Sequence, residues 1–168
     1  MDTISIQIRW AAQEDIPARW DLIRVAWDQA YAHIYTSQEI EDVFHNRIEQ
    51  KNTWQHNRRQ VLGSLVAEVD GQVVGTAGLA LLRDGDGEVT SLYVHPDWQS
   101  KGVGTALWNG CVDALRDHDC SGVQVWVLEN AGALAFYRRR GCLLFGEGYY
   151  WVGRHTERAL CCRLKFKL

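Results

Sequence analysis

Residues Leu92–Trp108 read LYVHPDWQSKGVGTALW, and the interpretation of the whole chain starts from them. The first residues have the apolar character of a buried strand, the middle is a glycine-rich turn, and the end begins an apolar pattern with helical spacing. The turn, Gln99–Gly104, has the form Q-x-x-G-x-G. Glycines let backbone pass close to a ligand, and the N–H groups of a helix N-terminus attract anions. The stretch therefore predicts a phosphate-binding turn between a strand and a helix.

Two other phosphate-binding patterns do not fit this turn. A P-loop lysine follows the glycines, whereas Lys101 precedes both of them. A dinucleotide-binding turn needs a third glycine and an acidic residue at the end of the next strand. The next predicted strand, Gly122–Val127, ends in Leu128-Glu129-Asn130, and no third glycine precedes it at the required spacing.

A second pattern lies downstream, where Asn130–Cys142 reads NAGALAFYRRRGC. Asn130, Ala133 and Tyr137 recur at helical spacing, which predicts that they share one face of a helix over residues 131–140. The basic run at residues 138–140 is interpreted as the C-terminal turn of that helix, where cations complement the helix dipole.

Together the two patterns resemble motifs A and B of the GNAT superfamily of acyl-CoA-dependent N-acyltransferases. In that family a [QR]-x-x-G-x-[GA] turn binds the pyrophosphate of coenzyme A, and this sequence matches each defined position. The second motif, N-x-x-A-x-x-x-Y-x-x-x-G-F, matches except that Cys142 replaces the phenylalanine. The resemblance covers about a third of the chain, roughly residues 88–142.

The remaining elements follow from periodicity, capping and turn signals. The predicted elements are strand Ile4–Trp10, helix Glu14–Tyr31, a helix after the capping box at residues 36–39, strands Ser64–Val69, Val73–Leu82 and Glu88–Val94, helix Gly104–Asp117, strand Gly122–Val127, helix Ala131–Arg140, and strands Cys142–Tyr150 and Ala159–Phe166. The order β-α-α-β-β-β-α-β-α-β-β predicts an α+β fold in a single domain, residues 1–168. The GNAT resemblance implies the same: a mixed, mostly antiparallel sheet of six to seven strands flanked by four helices.

The resemblance also implies acetyl-CoA as co-substrate and direct acetyl transfer to a primary amine. It implies that coenzyme A is bound by Leu92, Tyr93, Val94, Gln99, Ser100, Lys101, Gly102, Val103, Gly104, Thr105, Asn130, Ala133 and Tyr137. Tyr137 would protonate the departing thiolate. A local splay of the strand at residues 92–94 would free a backbone N–H for the oxyanion.

A general base is the other requirement of this chemistry. An alkylammonium with a pKa of about 10.4 is neutral in only about one part in 2,500 at pH 7. Glu88 takes this role by resemblance, because the histone acetyltransferase branch carries a catalytic glutamate six residues before the last apolar position of the strand, here Val94. An ordinary glutamate is a weak base unless burial raises its pKa. A water chain and a solvent-facing Glu88 without a catalytic role are the alternatives.

Acceptor-binding residues are expected in the N-terminal helices, which cover the acyl end of coenzyme A in this family. Trp27 and Tyr31 are the candidates, while Trp20 is assigned to core packing. The acceptor is a small amine, an amino acid, an antibiotic or a peptide. The rival function is a non-catalytic module that binds or senses acyl-CoA.

Composition limits the other possibilities. A formal net charge of −3 argues against nucleic acid as a partner. Five cysteines without C-x-x-C spacing indicate neither a disulfide framework nor a zinc site, and the histidines lack metal-ligand spacing, so no metal is predicted. The sequence has no apolar stretch long enough to span a bilayer. A cytoplasmic protein that does not bind membranes is expected, and a homodimer is possible.

Overall fold

The computed structural model describes residues 3–167. Its strands are β1 (Gln7–Trp10), β2 (Gln50–Asn52), β3 (Arg58–Val69), β4 (Gln72–Leu82), β5 (Gly87–Val94), β6 (Gly122–Leu128), β7 (Leu143–Val152) and β8 (His155–Lys165). Its α-helices are α1 (Ile16–Tyr31), α2 (Ser37–Phe44), α3 (Val103–Asp117) and α4 (Leu134–Arg138). The predicted α+β class, with four helices beside a mixed sheet, is confirmed. No helix within residues 3–167 is long and apolar enough to cross a bilayer.

The eight strands form one sheet in the order β1-β3-β4-β5-β6-β8-β7-β2. The predicted hairpin between β3 and β4 turns at Asp70 and Gly71, which both have positive φ angles, 49° and 78°. That combination matches the twist of a tight two-residue hairpin. The capping box that predicted α2 is also present, with the Glu39 N–H donating to the Thr36 hydroxyl over 3.1 Å.

Helices cover both faces of the sheet. Leu107 of α3 and Tyr137 of α4 share one buried cluster with Val127 of β6. Trp27 of α1 shares a second cluster with Leu128, the next residue of β6. Because successive strand residues point to opposite faces, α3 and α4 lie on one face and α1 and α2 on the other.

Strands β5 and β6 separate after a short stretch of pairing. They are the only parallel neighbours in the described sheet, and they pair over Gly87–Val89 and Val123–Val125 alone. Beyond this point β5 follows β4 with one extra residue, Thr90, at which the register shifts. Such a bulge bends a strand. The second half of β5 therefore diverges from β6 and leaves a gap within the sheet.

Three predictions about elements are corrected. The sheet has eight strands, because β2 adds to the edge of β7 through the pairs Gln50–Val152 and Asn52–Tyr150. The helix predicted over residues 131–140 begins only at Leu134, because Gly132 takes a φ of +78° that ends a preceding short 3₁₀ turn. Trp20 is 51% exposed and does not belong to the core.

Candidate active site

The gap between β5 and β6 connects two cavities. The inner cavity has a volume of about 290 Å³ and reaches from Tyr137 on one face of the sheet to Glu88 and Trp27 on the other. The outer groove has a volume of about 620 Å³ and runs along the Gln99–Gly104 turn and α4. Leu92 and Ala133 line both cavities, so the two meet at the gap.

The glycine-rich turn has the backbone shape that the sequence predicted. Ser100 and Gly102 have φ angles of 59° and 86°, and Gly102 is the residue that precedes α3. The first N–H groups of a helix have no partner within it and carry its positive dipole end. At Gly104 a Cβ atom would lie 3.2 Å from the Phe136 ring. The absence of a side chain there keeps the backbone open to the outer groove.

Most of the predicted cofactor residues line the outer groove. These are Leu92, Val94, Gln99, Ser100, Gly102, Gly104, Thr105 and Ala133. Tyr93 and Tyr137 line the inner cavity. The Lys101 ammonium instead donates to the Asp97 carbonyl over 2.9 Å. The Asn130 amide donates to Glu157 over 3.3 Å, and the Val103 side chain is buried in the core.

Sequence reasoning missed two cations in the outer groove. Arg139 and Arg140 both line it, although the run of arginines was interpreted only as a helix terminus. Arg140 lies over the Phe136 ring, donates to the Thr105 hydroxyl at the start of α3, and keeps a buried Nε without a partner. Burial and the charge of Arg139 lower the pKa of Arg140. The two side chains therefore place uncompensated positive charge beside the helix N-terminus.

The open edge of β5 exposes backbone groups to the gap. The His95 N–H donates to the Val74 carbonyl on β4 over 2.9 Å. Backbone groups of successive strand residues point to alternate sides. The N–H and C=O groups of Leu92 and Val94 therefore point away from β4, toward the side on which β6 has separated.

Tyr137 lines the inner cavity, one helical turn after Ala133, which lines both cavities. Its ring packs edge-to-face on Trp108 at 5.4 Å and on Phe136 at 5.0 Å between centroids. The residue is only 5% exposed, and burial raises the pKa of its phenol above the ordinary value. The hydroxyl thus holds its proton at neutral pH.

Glu88 is buried in the inner cavity and paired with a cation. One carboxylate oxygen accepts a hydrogen bond from Arg58 over 3.1 Å, and the side chain is 2% exposed. Burial raises the pKa of Glu88, while the charge of Arg58 opposes that rise. Burial rules out the alternative of a solvent-facing glutamate, and Arg58 is a neighbour that the sequence did not reveal.

Aromatic side chains surround the rest of the inner cavity. Trp27 and Tyr31, the candidates for acceptor binding, both line it. Four further rings were not predicted as acceptor residues, namely those of Trp54, Tyr93, Trp126 and Tyr150. The indole N–H of Trp27 donates to the hydroxyl of one of them, Tyr93, over 3.0 Å.

Comparison with known proteins identifies the family. Residues 20–142 match the model of the acetyltransferase (GNAT) family. The chain belongs to this GNAT family. Within it, an uncharacterized N-acetyltransferase of Methanocaldococcus jannaschii is 32% identical over 91 residues, which are 50% of this chain and 40% of that protein. The uncharacterized N-acetyltransferase YuaI of Bacillus subtilis is 28% identical over 141 residues, which are 79% of this chain and 78% of that protein.

The GNAT fold extends over nearly the whole chain. The PaiA N-acetyltransferase of Thermoplasma acidophilum, solved in complex with coenzyme A, superposes with a TM-score of 0.75. The match covers 97% of this chain and all of that one, at 20% sequence identity. This likeness shows that the strands outside residues 20–142 also belong to the fold.

Proposed function

We propose that this protein transfers an acetyl group from acetyl-CoA directly to a primary amine. The observation that carries the proposal is the junction of the outer groove with the inner cavity at Leu92 and Ala133 by the β5–β6 gap, with Tyr137 in the inner cavity one helical turn after Ala133. A groove suited to a phosphate-bearing donor and a cavity suited to an acceptor meet at one point, so a donor and an acceptor can react there. Relatives named as N-acetyltransferases and structural neighbours solved with coenzyme A or acetyl-CoA support the proposal.

The outer groove has the charges and the backbone groups that coenzyme A requires. The pyrophosphate would lie on the Gln99–Gly104 turn against the N-terminus of α3, with Arg139 and Arg140 as counterions. The amide-bearing pantetheine arm would pair with the edge of β5 at Leu92 and Val94, as an added strand does, and would replace the hydrogen bond that the Gln99 side chain donates to the Val94 carbonyl over 3.3 Å. The thioester would then lie at the gap.

Attack by the neutral amine on the thioester carbonyl gives a tetrahedral intermediate. A backbone N–H of β5 would hold its oxyanion in the gap. When the intermediate collapses, the carbon–sulfur bond breaks, the phenol of Tyr137 donates its proton to the departing sulfur, and the nitrogen gives up its surplus proton through water, which restores the phenol. Its raised pKa keeps that proton in place until then.

Glu88 would remove the ammonium proton through water. A strand rises about 3.3 Å per residue, so the four steps from Glu88 to Leu92 span up to about 13 Å. A separation of this size favours a chain of water molecules as the route of the proton. We also assign the protein to the cytoplasm, where its five free cysteines would stay reduced.

Thiol release from acetyl-CoA, measured with a panel of amines, tests the proposal. An amine that accelerates release and is recovered in acetylated form would support it. Calorimetric binding of acetyl-CoA without acceptor-dependent release across a broad panel would favour the non-catalytic acyl-CoA-binding module instead.

A further inference from the structure

The strand that the sequence did not predict forms one wall of the inner cavity. The segment at residues 49–57, here the β2 segment, carries Trp54 into the cavity. The Thr53 N–H donates to the Tyr149 carbonyl over 3.1 Å. The Tyr149 N–H donates to the Thr53 hydroxyl over 3.2 Å. These bonds and the β2–β7 pairing fix the wall to the sheet.

This wall is built from aromatic rings that stack on one another. The Trp54 and Trp126 rings are nearly parallel, with centroids 4.3 Å apart and an interplanar angle of 5°. Tyr150 extends the arrangement, with its ring centroid 6.4 Å from that of Trp54. Trp27, Tyr31 and Tyr93 also line the cavity, from α1 and β5. Aromatic rings gain from stacking on further rings beyond the apolar area they bury.

Two side-chain oxygens among these rings already accept hydrogen bonds. The Asn52 side-chain oxygen accepts from the N–H groups of Trp54 and Gln55 over 3.1 and 2.6 Å. The Gln50 oxygen accepts from the Tyr150 hydroxyl. An acceptor whose body carries further hydroxyl or amino donors would therefore find these two oxygens already bonded, and a buried donor left without a partner costs binding free energy.

The cavity has no net charge to offer a polycation. Its ionisable acid and base, Glu88 and Arg58, pair with each other. A polyamine entering the cavity would place further ammonium groups near Arg58 without additional carboxylates.

The size of the cavity favours a small acceptor. A volume of about 290 Å³ lies at the lower end of the range of small-molecule sites, roughly 300–1,000 Å³.

From this geometry we infer the class of acceptor: a small primary monoamine whose body is a flat aromatic ring, held against the Trp54–Trp126 wall with its amine directed at the β5–β6 gap. This inference rests on the proposed function and extends it to the acceptor. A polyamine, an aminoglycoside-like polyol or a peptide N-terminus is excluded as the preferred acceptor.

The test compares kcat/KM for paired amines in the thiol-release assay. 2-Phenylethylamine and n-butylamine differ by a ring, and spermidine and an alanyl peptide represent the rejected classes. We expect 2-phenylethylamine to exceed n-butylamine by about ten-fold or more, the effect of one stacked aromatic contact. A value for n-butylamine, spermidine or the peptide equal to or above that of 2-phenylethylamine would overturn the inference.

Substitution of the wall gives a second test. Trp54→Leu and Trp126→Leu should each raise KM for 2-phenylethylamine about ten-fold and leave KM for n-butylamine and the affinity for coenzyme A nearly unchanged. Trp10→Leu, at a tryptophan that is 46% exposed on β1 and outside both cavities, is the matched control. Equal changes for both amines would refute the role of the wall.

These outcomes separate the inference from the proposed function. If acetyl-CoA binds and no amine accelerates thiol release, the transferase proposal fails together with the acceptor class. If other amines react and 2-phenylethylamine does not, transferase activity stands and the aromatic acceptor alone is wrong.

Discussion

Replacement of Tyr137 by phenylalanine isolates the proposed proton donation. The variant keeps the aromatic ring, so the edge-to-face contacts with Trp108 and Phe136 at 5.4 and 5.0 Å remain. It removes only the hydroxyl, and we expect the free energy of unfolding to change by less than about 1 kcal/mol. Loss of general acid catalysis costs about 10²–10⁴ in rate, or roughly 3–5 kcal/mol of transition-state stabilisation.

The assay measures kcat by thiol release at saturating acetyl-CoA and amine, and coenzyme A affinity by calorimetry. The Tyr137→Phe variant should lose kcat by at least about 100-fold and retain the coenzyme A affinity of the wild type. Because burial raises the pKa of Tyr137, deprotonation of this phenol should cause no loss of wild-type kcat between about pH 7 and pH 9.

Tyr149→Phe provides the matched control, since Tyr149 is 50% exposed on β7 and does not line either cavity. The control should keep the wild-type kcat. A kcat of Tyr137→Phe within about two-fold of that of Tyr149→Phe would refute the proton donation, because both variants lose one phenol hydroxyl.

Three further predictions concern Glu88 and the outer groove. Burial raises the pKa of Glu88, so wild-type kcat/KM should rise with pH as this carboxyl loses its proton. Glu88→Gln should abolish that rise and lower kcat/KM by about ten-fold or more; an unchanged pH profile would remove Glu88 from the mechanism. Gly104→Val should weaken coenzyme A binding in calorimetry by about ten-fold or more, because the new side chain meets the Phe136 ring and fills the groove. Arg139→Gln should weaken the same binding by several-fold, more at low salt than at high salt; Arg138→Gln, outside the groove, should not, and equal effects would contradict the phosphate role.

Much of the fold and the backbone shape of the Gln99–Gly104 turn were predictable because their signals are local. Gln99–Gly104 combines positive-φ positions with a helix start, and Asp70-Gly71 requires a tight hairpin; such backbone constraints are visible in a few consecutive residues. The GNAT resemblance implied the splay of the strand that contains Leu92 and Val94. The turn and the hairpin do not depend on which distant segments come together.

The lining of the inner cavity was poorly predicted because its contacts join distant segments. The residues of β2, Gln50-Lys51-Asn52, have none of the β-branched or aromatic character of a typical strand, and they are ordered by pairing with β7 near the other end of the chain. Trp54 follows this polar stretch outside any periodic pattern. Arg58 lies beside Glu88 only because the fold brings together two residues that are 30 positions apart.

The short pairing between β5 and β6 has a consequence for stability. Three residue pairs join the β1-β3-β4-β5 half of the sheet to the β6-β8-β7-β2 half. A pantetheine arm in the gap would add hydrogen bonds along β5 where β6 provides none, so the donor would complete the sheet between its two halves. A ligand that binds only the folded state stabilises it in proportion to the logarithm of its concentration. A higher concentration of acetyl-CoA would then increase the stability of the folded chain as well as the rate of the reaction.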